Sequence, residues 1–157
     1  GGRHVLLVNA AGPAELRIRD AGTADALREL RRAGAVRAVG VSTKTVAGAL
    51  RAVAACDVVM LTLHPGATDD LPAIEAARAR GVGVLIKKAL ASGHAAAPGS
   101  GPAAGDAAAP ASNRAQDPVA TSLAFALRTP GVSSVIVGTT SPAHLAHNCD
   151  AADAATR

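Results

Sequence analysis

Short runs of branched aliphatic residues recur at 4–8, 36–41, 57–63, 82–86 and 132–137, with helix-like stretches between them. Each run has the length of a buried strand and is too short for a helix. Thr23 to Ala33 places Ala26, Leu27 and Leu30 on one face, and Thr45 to Ala55 and Asp69 to Arg80 read the same way. Gly34 and Gly81 follow the first and third of these stretches, where a helix that ends on a left-handed residue wants glycine. Strands that resume within a few residues of each helix end give βαβα order, and that order predicts a parallel sheet.

The 157 residues fit one domain. With one Phe, one Met and no Trp or Tyr, its core has to be built from Ala, Val and Leu. Residues 94–116 interrupt the alternation, because Ala, Pro, Gly and Ser crowd together from His94 to Asn113. A loop longer than about 15 residues in a compact α/β domain is either functional or disordered, and this composition predicts a flexible segment. Asp117-Pro118 then supplies an N-cap and a proline for the first helical position, opening a helix that Thr129-Pro130-Gly131 ends after Arg128.

Several function classes are disfavoured by composition. The net charge of +4 is spread along the chain without a basic block, and one aromatic residue cannot stack on bases, so no nucleic-acid partner is expected. No apolar run reaches the ~18 residues of a membrane span, and the opening Gly-Gly-Arg-His has no signal-peptide pattern. Cys56 and Cys149 form no Cys-x-x-Cys pair and read as reduced thiols. A cytoplasmic protein with no membrane contact is the expectation.

In parallel α/β folds ligands gather at the carboxyl ends of the strands. The residues there are Asn9 to Gly12, Ser42-Thr43-Lys44, Thr62 to Pro65, Lys87-Lys88 and Gly138 to Pro142, which puts every lysine of the chain on one rim. Ser141 and Pro142 suit the N-cap and first position of a last helix, expected over 143–150, whose amides either hold an anion or are merely capped. Lys87-Lys88 is either a solvated strand end or an anion contact. His144 and His147 with Cys149 have a spacing that could hold a metal, although exposed helix histidines are far commoner. His64, before Pro65, is either an acid or base or a residue that shapes its turn. Asp69-Asp70 reads as charge at a helix N-terminus. Gly81-Val-Gly enters a strand where a dinucleotide fingerprint would leave one, so no such fingerprint is assigned.

Three of these segments resemble a known series. Gly34-Ala-Val-Arg-Ala-Val-Gly-Val-Ser-Thr-Lys-Thr-Val resembles the fifth-strand signature of the aldo-keto reductases, and Gly81-Val-Gly-Val-Leu-Ile-Lys-Lys-Ala-Leu-Ala-Ser-Gly their seventh strand and following loop. Val132-Ser-Ser-Val-Ile-Val-Gly-Thr-Thr-Ser-Pro-Ala-His-Leu-Ala-His-Asn resembles the eighth. The resemblance implies a (β/α)8 TIM barrel that binds a nicotinamide cofactor, NADP or NAD, and reduces aldehydes and ketones. It implies that Ser42 meets the cofactor carboxamide, with Thr43 and Met60 where the family carries asparagine and glutamine. Lys87 stands where many members place an aromatic ring, followed by Lys88. Leu90, Ser92 and Gly93 match the pyrophosphate-side loop, and Gly138, Thr139, Ser141, His144 and Asn148 the adenosine end. Gly138 and His144 replace the lysine and arginine that favour the 2′-phosphate in many members.

The strand at His4 to Val8 resembles the family's fourth, which puts Asn9 at the position of the catalytic histidine, and a chain without tyrosine lacks the family's usual acid. Since a complete barrel takes ~250 residues, the expectation is a carboxyl-terminal part, about strands four to eight, inactive alone and open to self-association through exposed barrel edges. Three readings stand at this point: a segment of an NAD(P)H-dependent reductase acting on a small carbonyl substrate, an inactive reductase-like module that binds a nucleotide or a partner, and a flavodoxin-like open sheet.

Overall fold

The computed structural model describes residues 5–9, 23–91 and 117–157. The expected flexible segment at 94–116, and Ser92 and Gly93 before it, lie outside the described residues. The described elements run β1 (Val5–Asn9), α1 (Thr23–Arg32), β2 (Ala38–Ser42), α2 (Val46–Val53), β3 (Val58–Thr62), α3 (Leu71–Arg80), β4 (Gly83–Lys87), α4 (Pro118–Arg128), β5 (Ser134–Val135) and α5 (Pro142–Thr156). All strand pairs are parallel and the sheet order is sequential, β1-β2-β3-β4-β5.

Sequential order with one-sided packing decides between the open sheet and the barrel. Val41, Val59, Leu61, Val84 and Ile86 join a single core with Ala49, Ala52 and Val53 of α2, Ala73, Ile74 and Ala77 of α3, and Val119, Leu123 and Ala126 of α4. These strand positions share one face, because side chains alternate along a strand. An open doubly wound sheet would reverse its strand order and bury both faces, whereas here α2, α3 and α4 cover the same face. The alternate residues, Val58, Met60 and Thr62 on β3 and Gly83, Leu85 and Lys87 on β4, are only half-buried. They line the concave face, the lumen of a (β/α)8 barrel of which these strands form a part.

Local signals place the ends of the elements. Gly34 and Gly81 both have left-handed backbones, with φ of 73° and 69°, after α1 and α3. Thr45, Asp117 and Ser141 each accept a hydrogen bond from a first-turn amide of the helix that follows. Two expectations need correction. The run 132–137 yields only Ser134–Val135 as strand, because β5 pairs with β4 alone among the described residues, although Ile136 N still donates to Ile86 O at 2.8 Å. The last helix continues to Thr156, well beyond the expected 143–150, because Ala151 and Ala155 are buried and Arg128 Nε donates to Ala155 O at 3.0 Å.

Candidate functional site

At the amino ends of the strands Asp57 is a structural junction. Its Oδ2 accepts from Val39 N (3.0 Å), its Oδ1 pairs with Arg31 (2.9 Å), and its carbonyl accepts from Gly83 N (2.9 Å). Three consecutive strands are thereby joined at one end. The carboxyl ends carry the candidate site.

There Ser42, Met60 and Leu85 are in register across β2, β3 and β4, and Asn9 is paired with Ser42 from the other side. The Asn9 side chain lies outside the described residues. Lys87, the last residue of β4, bridges back across the intervening strand: its ammonium donates to Ser42 Oγ at 2.8 Å and to the Thr43 carbonyl at 2.6 Å. Ser42 and Thr43 are buried, and Thr43 Oγ1 is shut off from water with no hydrogen-bond partner among the described residues. A buried hydroxyl in that state costs about 1–3 kcal/mol, which the rest of the fold has to offset. Lys87 is therefore more than a solvated strand end, which the sequence had left open.

After Lys87 the chain turns sharply. Lys88 and Ala91 have φ of 58° and 50°, a region that side chains with a Cβ seldom occupy. Each such residue costs about 1–3 kcal/mol and persists only where the surroundings hold it. Ala89 between them is buried, its carbonyl takes a 2.7 Å bond from Ser122 Oγ, and Ala91 N donates to Lys88 O at 2.8 Å. Leu90 packs half-buried against the core, and Lys88 is exposed.

A second group lies at the start of α5. Thr139 Oγ1 accepts from Ser141 N at 3.2 Å, and Ser141 Oγ accepts from His144 N at 3.3 Å. A hydroxyl whose lone pair is used by a backbone amide still has its own proton to give. Capping and anion binding, posed above as alternatives, are thus compatible here. Gly138 and Thr139 are exposed; His144 is exposed and Asn148 half-buried one turn further along the helix. No hydrogen bond joins this group to the Ser42 group among the described residues.

Other candidates resolve to structural roles. His64 Nδ1 accepts from Gly66 N at 3.2 Å and so shapes its own turn. Asp70 does not cap α3 with its side chain; its Oδ2 accepts from Thr62 N at 3.0 Å, tying the end of β3 to the helix. His147 Nε2 stands 2.7 Å from Asp117 Oδ2, but ring and carboxylate are not aligned for a hydrogen bond, so the contact is one of charge when the ring is protonated. The spacing within 144–149 gave no sign of this, because the partner lies on α4. Burial, and secondarily the neighbouring Asp57, push the Cys56 thiol up, while Arg28 opposes them.

The comparisons with known proteins agree with this geometry. The sequence pattern of the Aldo/keto reductase family matches residues 18–156, and the chain belongs to that family. A Pseudomonas aeruginosa protein assigned to the aldo-keto reductases is 36% identical, with a TM-score of 0.78, over 98% of this chain and 52% of its own. An aldo-keto reductase of Bacillus halodurans in its holo form is 14% identical and shares the fold, with a TM-score of 0.74 over 95% of this chain and 55% of that one. The chain therefore spans about half the length of these relatives. No curated protein sequence matches it. Because the family match starts at residue 18, it leaves the assignment of Asn9 to strand order alone. Among the described residues no helix is long and apolar enough to cross a membrane.

Proposed function

We propose that this chain forms the cofactor-binding part of an NAD(P)H-dependent oxidoreductase that reduces small aldehydes or ketones in the cytoplasm once its barrel is complete. The observation that carries this reading is the turn before α5, where the Thr139 and Ser141 hydroxyls accept from backbone amides at a helix N-terminus and so keep their own protons to give. Such an end favours a phosphate through both its donors and its dipole. The rim fits the other end of the cofactor. Ser42 offers a hydroxyl there.

The bound cofactor would supply the hydride. In this reading Ser42 and Thr43 orient the nicotinamide carboxamide and Met60 lies beside them. Lys88, Leu90, Ser92 and Gly93 border the pyrophosphate, and Gly138, Thr139, Ser141, His144 and Asn148 hold the adenosine end. Gly138 and His144 stand where the lysine and arginine that favour a 2′-phosphate would be, so this reading takes NADP or NAD. Asn9 orients a substrate carbonyl by hydrogen bond but cannot itself move a proton near neutral pH. The family's usual acid, a tyrosine, is not among these 157 residues.

That same feature favours a second reading, an inactive module that binds the nucleotide without turnover. Calorimetric titration of the chain with NADP+ tests what the two readings share. Binding that disappears when Thr139 and Ser141 are both replaced by Ala is the expected result, and unchanged binding refutes the site.

A further inference from the structure

We infer that Lys87 is a positioning residue: it fixes the Ser42 hydroxyl as a donor toward the lumen, so that this part of the rim selects a ligand group that only accepts hydrogen bonds. The inference rests on the cofactor reading above and names the chemistry of the group that meets Ser42. A serine hydroxyl has one proton and two lone pairs, and a lysine ammonium can only donate. Since Lys87 donates to Ser42 Oγ at 2.8 Å, the serine accepts along that line and its proton must point elsewhere. The second bond of the ammonium, 2.6 Å to the Thr43 carbonyl, holds the lysine in place from the adjacent residue and occupies an oxygen that would otherwise accept at the rim.

The direction left for the Ser42 proton follows from the sheet. Val41 faces the helix-side core, so Ser42 faces the lumen, on the same side as Met60 and Lys87. With the ammonium on one side and the Thr43 carbonyl already used, Ser42 is left to donate to an incoming oxygen. A carboxylate or a carbonyl satisfies the Ser42 donor; an amino group meets neither acceptor nor favourable charge. A neutral amide would therefore bind with its oxygen toward Ser42, and an acid in the same place would bind at least as well. Charge-assisted hydrogen bonds are about twice as strong as neutral ones, which is why the tie can set the proton of Ser42 against competing rotamers.

The test compares NADP+ with its nicotinic acid counterpart, an acid in place of the amide, on the 157-residue chain by calorimetry. 2′-Phospho-ADP-ribose serves as a probe of the adenosine end. The chain should bind the acid form at least as tightly as the amide. Lys87→Met should lower the acid-to-amide affinity ratio by about tenfold, the scale of one charge-assisted hydrogen bond, and leave 2′-phospho-ADP-ribose binding unchanged. Ser42→Ala should lower the affinity for the acid by a similar factor, and the double variant should be no worse than Lys87→Met, since both act through one hydroxyl. Lys87→Arg should retain the ratio.

An unchanged ratio in Lys87→Met would make the lysine only a strut. A Ser42→Ala variant that binds the acid normally would mean that charge alone acts, and either result overturns the inference while the cofactor reading stands. A chain that binds none of the three ligands overturns both. If Lys87→Met does not fold, Ser42→Ala decides, because it leaves the bond from Lys87 to Thr43 in place.

Discussion

Asp117 is buried, and its two carboxylate oxygens have separate tasks. One caps α4 by accepting from Val119 N (2.9 Å) and Ala120 N (3.2 Å); the other meets His147 of α5. Replacement by Ala removes both. Loss of an N-cap costs about 1–2 kcal/mol, and because Asp117 is only 8% exposed the two amides are poorly reached by water, which adds roughly 1 kcal/mol. The His147 contact is partly solvated and contributes under ~1 kcal/mol. Asp117→Ala should therefore destabilise by about 2–3 kcal/mol, while Asp117→Asn, which keeps a capping oxygen, should lose less than ~1 kcal/mol. In urea unfolding followed by circular dichroism, with a slope near ~2 kcal/mol/M, the Ala variant should move the midpoint down by about 1 M. An Ala variant within ~0.5 kcal/mol of the parent would refute the cap, and an Asn variant as damaging as Ala would transfer the effect to the His147 charge contact.

Gly131→Ala should cost about 2–3 kcal/mol in thermal or urea unfolding, because its φ is 101° and an added Cβ would lie 3.0 Å from Arg78 Cβ and 3.2 Å from Ile74 O. Cys56 should react with iodoacetamide more slowly than the exposed Cys149 near pH 8, as mass spectrometry can show. Because its folded thiol is raised above the unfolded value, folding favours the protonated form. That contribution is complete below the ordinary thiol range and is lost as pH rises through the folded value, so Cys56→Ala should flatten the alkaline fall in stability. Lys88→Gly should be neutral or stabilising by up to ~1 kcal/mol in the same unfolding assay, since relief at φ of 58° offsets the usual cost of glycine. Val5 on β1 and Ile136 just past β5 are about half-exposed, and size-exclusion chromatography should show self-association of the chain rather than a concentration-independent monomer.

The elements were legible because they rest on local chemistry: branched runs, glycines at helix ends, and Thr45, Asp117 and Ser141 ahead of their helices. The distinction between an open sheet and a barrel was not, because it depends on which face of each strand is buried, and a fully apolar run such as Val82 to Ile86 hides its alternation. Sheet order and the one-sided core supply that answer. The candidate rim was legible as a set of residues just past the strands, and Ser42, Thr43 and Lys87 do meet there. Their bonds could not be read in advance, since Lys87 and Ser42 are 45 residues apart and the contact needs β3 between them. The tasks of Asp70 and His147 were hidden for the same reason, their partners being on other elements.

The two ends of the sheet differ in how completely their polar groups are satisfied. At the amino ends Asp57 serves β2, β3 and β4 together and has a partner for each carboxylate oxygen. At the carboxyl ends Thr43 keeps a buried hydroxyl without a partner among the described residues, and two residues with side chains, Lys88 and Ala91, sit at positive φ. Folding alone would select against both features, each worth roughly 1–3 kcal/mol. The turn after β4 is held in that state by a buried alanine and a serine from α4, so the strain is supported rather than relaxed. In parallel barrels the amino face serves stability and the carboxyl face binds, and here the satisfied groups and the strained ones divide along that line. It follows that substitutions at Asp57 should change unfolding more than ligand affinity, and substitutions at Ser42 or Lys87 the reverse.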